Sequence, residues 1–156
     1  MRVRLIAVGS RMPGWVRQAY EDYITRLGAA LKVNLVEIEP GHRSAGRPAH
    51  KAMESEAHKL LGALRKDEYV VALDEHGAQM STRELAGWLG GRMQEGRDVA
   101  LLVGGPDGLA PEVLARCDLK WSLSRLTFPH ALVRVVLAEQ LYRAHSVLAN
   151  HPYHRD

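Results

Sequence analysis

The sequence is poor in the residues that indicate a disulfide scaffold or a membrane protein. Among its 156 residues Cys117 is the single cysteine, which excludes an internal disulfide and fits a reducing compartment such as the cytoplasm. No apolar run approaches the roughly 20 residues of a membrane span, and the first ten residues resemble a β-strand more than a signal peptide. With 46% hydrophobic and 25% charged residues, the composition predicts one globular domain over residues 1–156, without a membrane partner.

Sequence motifs of several common chemistries are absent as well. The chain has no G-x-G-x-x-G, no G-K-[ST], no G-x-S-x-G and no H-E-x-x-H. Its eight histidines lack the spacing of metal ligands, so no metal site is expected. These absences disfavour the common dinucleotide, phosphate-loop, serine-hydrolase and zinc-protease classes.

Positive charge is modest overall but concentrated in two segments. The formal net charge is +3, and residues 41–51 ("GHRSAGRPAHK") and 150–156 ("NHPYHRD") hold several basic residues close together. Nucleic-acid binding proteins cluster positive charge in this way. A solvated loop and a frayed terminus explain the same two segments, so charge alone leaves both interpretations open.

Apolar runs of strand length alternate with helical patterns along the whole chain. This alternation predicts an α/β domain with a largely parallel sheet flanked by helices. Strands are predicted at 3–8, 32–39, 69–74, 99–105 and 120–124. Helices are predicted after Pro13, over 48–65, after the cap residue Ser81, and from near Pro129 to about Leu148.

Ligands of open α/β sheets bind at the carboxyl ends of the strands, so the residues that follow each strand are candidates for a ligand site. The third predicted strand leads into Glu75, and the fourth leads into a cluster formed by Gly104, Gly105 and Gly108. Glycines allow a close approach between backbone and ligand, although a tight turn needs them for its dihedral angles alone. The fifth strand leads into "RLTFPH", and we expect these three loops to meet at one ligand.

The helix over 129–148 is apolar on more than one side. Val133, Leu137 and Leu141 lie on one stripe, and Leu132 and Val136 widen it beyond a single face. Such breadth fits a helix that packs on its own sheet and on a partner subunit. A central helix within one core would show the same pattern.

Three motifs in fixed order connect the sequence to a known family. They are "LLVGGPDGL" (101–109), "SLSRLTFPHALVRVVLAEQLYRA" (122–144) and "NHPYHR" (150–155). Together they resemble the small SPOUT-superfamily methyltransferases that methylate N3 of a pseudouridine in large-subunit (23S) ribosomal RNA, and the resemblance covers the whole chain. It implies a single-domain SPOUT fold with a C-terminal deep trefoil knot, a homodimer, S-adenosyl-L-methionine as cofactor and the ribosomal large subunit as partner.

The resemblance also implies which residues surround the cofactor. They are Leu73, Gly104, Leu123, Ser124, Arg125, Leu126, Thr127 and Phe128. Leucine side chains beside a glycine turn suit adenine, which needs apolar walls and a few backbone hydrogen bonds. At position 125 we expect the backbone to matter more than the side chain.

Catalytic and substrate-binding residues are expected in the tail and the long helix. Tyr153, His154 and Arg155 are the predicted catalytic residues; His130, Arg134 and Arg143 are the predicted substrate-binding residues. Negative charge develops on the base as N3 loses its proton, and an Arg or His donor would stabilise it. The group that takes the proton stays open, and a structural role is favoured for Glu139.

Alternatives from other classes predict different subsets of these features. An RNA-binding protein without catalysis would keep the basic segments but would not need the glycine turn together with the loop over 122–130. A small-molecule α/β enzyme that uses another nucleotide would not need the basic tail. A related SPOUT RNA methyltransferase with a different target nucleotide is the nearest alternative.

Overall fold

A computed structural model describes residues 1–44, 46 and 48–155 of the chain. Arg47, part of the basic segment 41–51, lies outside the described residues. The strands are β1 (Arg2–Val8), β2 (Lys32–Ile38), β3 (Tyr69–Ala78), β4 (Val99–Val103) and β5 (Leu119–Trp121). The helices are α1 (Gly14–Ile24), α2 (Ala49–Ala63), α3 (Thr82–Glu95), α4 (Pro111–Arg116) and α5 (His130–Leu148).

The described strands form one parallel sheet in the order β2-β1-β4-β3-β5. Strand β4 lies between β1 and β3, and all five of its residues are buried. Central strands of a parallel sheet are buried on both faces, which explains the continuous apolar sequence over 99–103. The predicted α/β fold with a parallel sheet flanked by helices is confirmed.

Helices cover both faces of this sheet and create two cores. Leu101 packs in the core with residues of α1, α3 and α5, whereas its neighbour Leu102 packs in the core with residues of α2 and α4. Successive side chains of a strand point to opposite faces, so one apolar strand supplies both cores. Helix α5 contacts α1 and α3. Within the described part of the chain, no helix is long and apolar enough to cross a membrane.

The start of α3 agrees with the sequence prediction. The Ser81 side chain accepts a hydrogen bond from the Glu84 backbone N–H, and the Glu84 side chain accepts one from the Ser81 backbone N–H. This reciprocal capping box satisfies two donors that the helix itself leaves unpaired. Gly96 ends the helix in the left-handed conformation, with φ of 74°.

The strand ends around the predicted ligand site differ from expectation. Strand β4 ends at Val103 rather than at 105, because Gly105 pairs with Gly108 in a tight turn instead of continuing the ladder. Strand β5 ends at Trp121 rather than at 124, and β3 continues to residue 78 through an irregular register. Helix α4 was not predicted, and it begins at Pro111, a residue that suits the first turn of a helix.

Candidate active site

One cavity lies at the carboxyl ends of β4, β3 and β5, which are neighbours in the sheet. Its volume is about 490 Å³, within the range of roughly 300–1,000 Å³ that is typical of small-molecule sites. The second half of β3 and the loops that follow β4 and β5 build its walls. Trp121, which is only 3% exposed, is one of the residues that line the cavity.

The structure brings most of the predicted cofactor residues together at this cavity. Those that line it are Leu73, Gly104, Leu123, Ser124, Leu126, Thr127 and Phe128. The predicted substrate residue His130 lines it as well, at the start of α5. Arg125 is not among the lining residues, so a contact between its backbone and the cofactor stays a prediction.

The glycine turn after β4 is closed too tightly for any other residue at 104. A Cβ atom placed on Gly104 would lie 2.6 Å from the carbonyl carbon of Gly108, and both of these glycines line the cavity. Gly108 itself has φ of 79°, in the region that favours glycine. The glycines are therefore required by the turn, and the turn in turn forms one wall of the cavity.

Hydrogen bonds fix the loop after β5. The Ser122 hydroxyl donates to the Ser124 carbonyl oxygen across 2.9 Å, and the Leu126 backbone N–H donates to the Ser124 Oγ across 2.9 Å. The Thr127 hydroxyl donates to Oε2 of Glu75, 3.3 Å away, in the second half of β3. Two walls of the cavity are thus joined, and Leu126, another lining residue, is 71% exposed.

The cavity is acidic although the chain as a whole is basic. Asp74, Glu75 and Asp107 line it, and the described lining residues include no lysine and no arginine. The two histidines in the lining are His76 and His130. Opposite charges attract more strongly in a partly desolvated cleft than in bulk water, so this cavity favours a cationic ligand over an anionic one.

Sequence reasoning noticed Glu75 as a residue that follows a strand, but it assigned no role to Asp74 or Asp107. Asp74 is the last residue of the predicted strand 69–74 and lies in the second half of the observed β3, whereas Asp107 lies inside the glycine turn; these positions were the signal that could have found them. Among residues 1–44, 46 and 48–155, no three His, Cys, Asp or Glu side chains are grouped in a way that could hold a metal ion.

The C-terminal tail turns back onto α5 and does not reach this cavity. Asn150 has φ of 56°, and the His151 backbone N–H donates to the Ser146 carbonyl oxygen across 2.8 Å. None of the described tail residues, 150–155, lines the cavity. The three predicted catalytic residues are therefore held elsewhere within a single chain.

Polar and aromatic contacts anchor Tyr153 on α5. Its ring lies 4.5 Å from the Tyr142 ring between centroids, and the Arg143 guanidinium lies 4.9 Å from its centroid. Arg143 pairs with Glu139 across 2.6 Å and donates to the His154 carbonyl oxygen across 3.1 Å. The structural role that was favoured for Glu139 agrees with these contacts.

The Tyr153 hydroxyl is in its neutral form at ordinary pH. Partial burial, then the hydrogen bond to Glu139 and the charge of that carboxylate, raise the pKa of Tyr153 to about 12. A neutral hydroxyl can donate to a carboxylate, which is the geometry found here. This hydroxyl is accordingly a donor and not a general base.

Arg134, a predicted substrate-binding residue, lies inside the protein. It is 2% exposed, and its guanidinium donates to the Gly9 carbonyl oxygen and to Oε2 of Glu37, each across 2.8 Å. Within one chain this side chain joins α5 to the ends of β1 and β2. Contact between Arg134 and a substrate stays a prediction.

Comparison with known proteins agrees with this architecture. Residues 1–154 match the family described as "Predicted SPOUT methyltransferase". The chain belongs to the SPOUT methyltransferase family. It is 56% identical over 155 residues to the ribosomal RNA large subunit methyltransferase H of Alkalilimnicola ehrlichii, with 99% of both chains covered. It is 54% identical over 156 residues to the protein of that name from Thioalkalivibrio sulfidiphilus, with 100% of both covered.

More distant solved structures share the fold. A probable methyltransferase from Bordetella pertussis superposes with a TM-score of 0.59 at 20% identity, covering 92% of this chain and 93% of its own. A probable methylase family protein from Haemophilus influenzae superposes with a TM-score of 0.57 at 15% identity, covering 97% of this chain and 69% of its own. At these identities the likeness concerns the fold alone.

Proposed function

We propose that this SPOUT methyltransferase transfers a methyl group from S-adenosylmethionine to N3 of a pseudouridine in large-subunit (23S) ribosomal RNA. The observation that carries the proposal is the identity of 56% over 99% of both chains to a ribosomal RNA large subunit methyltransferase H. A ribosomal substrate implies a cytoplasmic enzyme. The two rival classes, a non-catalytic RNA-binding protein and an enzyme that uses another nucleotide, are disfavoured by membership of a methyltransferase family.

The residues of the cavity fit the proposed cofactor. The adenine would lie between Leu73, Leu123 and Leu126, beside the backbone of the glycine turn. When bound, S-adenosylmethionine supplies a methyl group on a positively charged sulfur. Asp74 and Glu75 would stabilise that positive charge, whereas the phosphates of another nucleotide would be repelled by them.

The target base would enter beside His130, where α5 begins at the cavity. As N3 of the base loses its proton, negative charge spreads to the flanking carbonyl oxygens of the ring. The guanidinium of Arg155 or an N–H of His154 would donate to these oxygens, and the ring of Tyr153 would stack on a base. The enzyme's contribution is then alignment and charge stabilisation.

A second copy of the chain would bring these tail residues to the cavity. In one chain the tail lies on α5 through the Tyr153–Glu139 bond, and Leu132, Val135 and Val136 of the same helix are only half-buried. A homodimer built on α5 would cover these side chains and would let one tail complete the other copy's site. Sedimentation at micromolar concentration should show a species of twice 17.3 kDa; a single-chain mass would contradict the homodimer and the shared site.

The deep trefoil knot belongs to the same proposal. Two observations support it, the family membership and the position of the cavity. The loop after β5 forms one wall of the cavity and leads to α5, which packs on another part of the sheet. A knot there would hold the cavity walls together without a disulfide. Knotted chains are rare exceptions among protein folds.

Methyl transfer to ribosomes tests the proposed function. Ribosomes from a strain that lacks this gene should accept labelled methyl groups from S-adenosylmethionine in the presence of the purified protein. Mass-spectrometric mapping of the 23S RNA should locate the label on N3 of one pseudouridine. A label on another nucleotide would identify the alternative, a SPOUT RNA methyltransferase with a different target. Binding of RNA without methyl transfer would identify a non-catalytic RNA-binding protein.

A further inference from the structure

Arg43, in the loop between β2 and α2, makes ion pairs with two carboxylates from different parts of the fold. Its Nη1 and Nη2 donate to the two carboxylate oxygens of Glu56 across 2.6 and 3.2 Å. Its Nε donates to Oδ2 of Asp107 across 2.8 Å. The planar guanidinium is suited to such a forked arrangement because its donors point in fixed directions.

Glu56 is the fixed end of this arrangement. It lies on α2 and is 2% exposed, and it also accepts a hydrogen bond from the Gly41 backbone N–H across 2.9 Å. Gly41 in turn packs directly on the backbone of Ala52, where no side chain would fit. A buried carboxylate is retained only with such partners, so Gly41 and Arg43 are both attached to α2 through Glu56.

Asp107 is the other end, and it belongs to the glycine turn that forms one wall of the cavity. The same turn also lies close to Glu56, since a Cβ placed on Gly105 would lie 3.5 Å from both carboxylate oxygens of Glu56. Arg43 therefore links the turn to α2 by the side chain of Asp107. The pairing also compensates part of the charge of Asp107, whereas Asp74 and Glu75 face the cavity without an arginine partner in the described structure.

We propose that Arg43 is a positioning residue of the methyl-donor site: anchored on Glu56, it holds Asp107 and thereby fixes the glycine turn in the conformation that binds the cofactor. The proposal rests on the proposed function for the identity of the cofactor. Stability alone does not account for the arm to Asp107, because both of its side chains are partly exposed and such pairs contribute little to folding. The arm to Glu56 is the one that folding requires.

Two variants separate these arms. Asp107→Asn removes the charge at the turn and leaves the buried Arg43–Glu56 pair intact. Arg43→Lys keeps a positive charge near Glu56 but cannot fork to both carboxylates. The matched control is Asp22→Asn on α1, which breaks a similar exposed pair between Asp22 and Arg26, 2.9 Å apart and away from the cavity.

Affinity for S-adenosylmethionine, measured by isothermal titration calorimetry, should fall about fivefold to tenfold in Asp107→Asn and in Arg43→Lys. The melting temperature of Asp107→Asn should stay within the range of the Asp22→Asn control. The double variant should bind S-adenosylmethionine no more weakly than the single variant that has the lower affinity, because both changes break the same link between Arg43 and Asp107. Equal affinities for the wild type and both single variants, or additive losses in the double variant, would overturn the proposal.

Amide hydrogen exchange provides a readout that does not depend on the cofactor. In the free protein, the amides of residues 104, 105 and 107–109 should exchange faster in Asp107→Asn and Arg43→Lys than in the wild type or in Asp22→Asn. If the wild type does not bind S-adenosylmethionine, the proposed function fails, and exchange still decides whether Arg43 fixes the turn. Unchanged exchange over 104–109 in both variants would overturn the positioning role.

Discussion

The hydroxyl of Tyr153 donates to Oε1 of Glu139 across 3.0 Å, which fixes the end of the chain to α5 of the same chain. The carboxylate of Glu139 also accepts from Arg143, so tail and helix share one polar cluster. None of the residues of this cluster is among the described residues that line the cavity. Cofactor binding and tail function are consequently separable by mutation.

Removal of the chain after Asn150 should abolish methyl transfer while preserving the cofactor site. The residues that line the cavity lie within 73–133, so calorimetry should show nearly unchanged affinity for S-adenosylmethionine. Transfer of labelled methyl groups to ribosomes should fall by at least a hundredfold, the order of magnitude lost when charge stabilisation is removed from an active site. Arg155→Ala should reduce transfer more than Tyr153→Phe, which loses only a hydroxyl.

A truncated protein that methylates ribosomes at the full-length rate would show that the tail is a frayed terminus. The catalytic assignment would then move to His130, Arg134 and Arg143. Circular dichroism and sedimentation of the truncated protein provide the control for folding and assembly.

High pH should weaken the attachment of the tail. The folded pKa of Tyr153, about 12, lies above the ordinary value of 10.0, so its contribution to stability is complete below pH 10 and is lost as the pH rises toward 12. The difference in the free energy of unfolding between wild type and Tyr153→Phe should accordingly shrink over this interval. Chemical denaturation at several pH values measures it. A difference that stays constant up to pH 12 would contradict the role of this hydroxyl as a donor to Glu139.

The sheet and the cavity could be predicted because they depend on local patterns. Apolar runs such as 99–103 define buried parallel strands, and polar or glycine residues at their ends define a ligand site. Strand ends were less predictable, since β4 stops where Gly104 contacts the backbone of Gly108, four residues further along the chain. That contact depends on the closure of the turn in three dimensions.

Interactions between distant residues could not be predicted from the sequence. Arg43 and Asp107 are separated by 64 positions, and no periodicity connects them. Arg134 interrupts an apolar helix and was predicted to bind substrate, which stays a prediction; the sequence did not indicate that its buried guanidinium donates to Gly9 and Glu37, 125 and 97 positions earlier in the chain. Polar residues on a helix buried on several sides can be assigned only when their partners are known.

Substitution of Gly104 should weaken cofactor binding through the shape of the turn. In Gly104→Val, the new Cβ would lie 2.6 Å from the Gly108 backbone, so the turn must open and the cavity wall must shift. Affinity for S-adenosylmethionine should fall at least tenfold, about 1.4 kcal/mol. Gly62→Ala on α2, where nothing lies within 4 Å of the added atom, is the control and should bind normally. Normal binding by a folded Gly104→Val protein would remove this turn from the site.

Charge at Glu75 should help the cavity to distinguish S-adenosylmethionine from S-adenosylhomocysteine. The two molecules differ by a methyl group and by the positive charge on sulfur, which the product has lost. Glu75 lines the cavity, and its side chain is 55% exposed, so solvent screens its field. A screened charge pair a few ångström apart is worth on the order of 1 kcal/mol, or about fivefold in affinity.

Glu75→Gln should therefore lower the preference for S-adenosylmethionine over S-adenosylhomocysteine by about fivefold at low salt. The amide can still accept the hydrogen bond of the Thr127 hydroxyl, so the loops should keep their contact and the change tests charge rather than shape. Calorimetric titrations with both molecules measure the ratio, and Glu54→Gln on the exposed side of α2 is the matched control. Added salt should reduce the preference of the wild type toward that of Glu75→Gln, because ions screen the carboxylate. If Glu75→Gln and the wild type show the same ratio of the two affinities at low salt, the acidic lining does not contribute to recognition of the charge on sulfur.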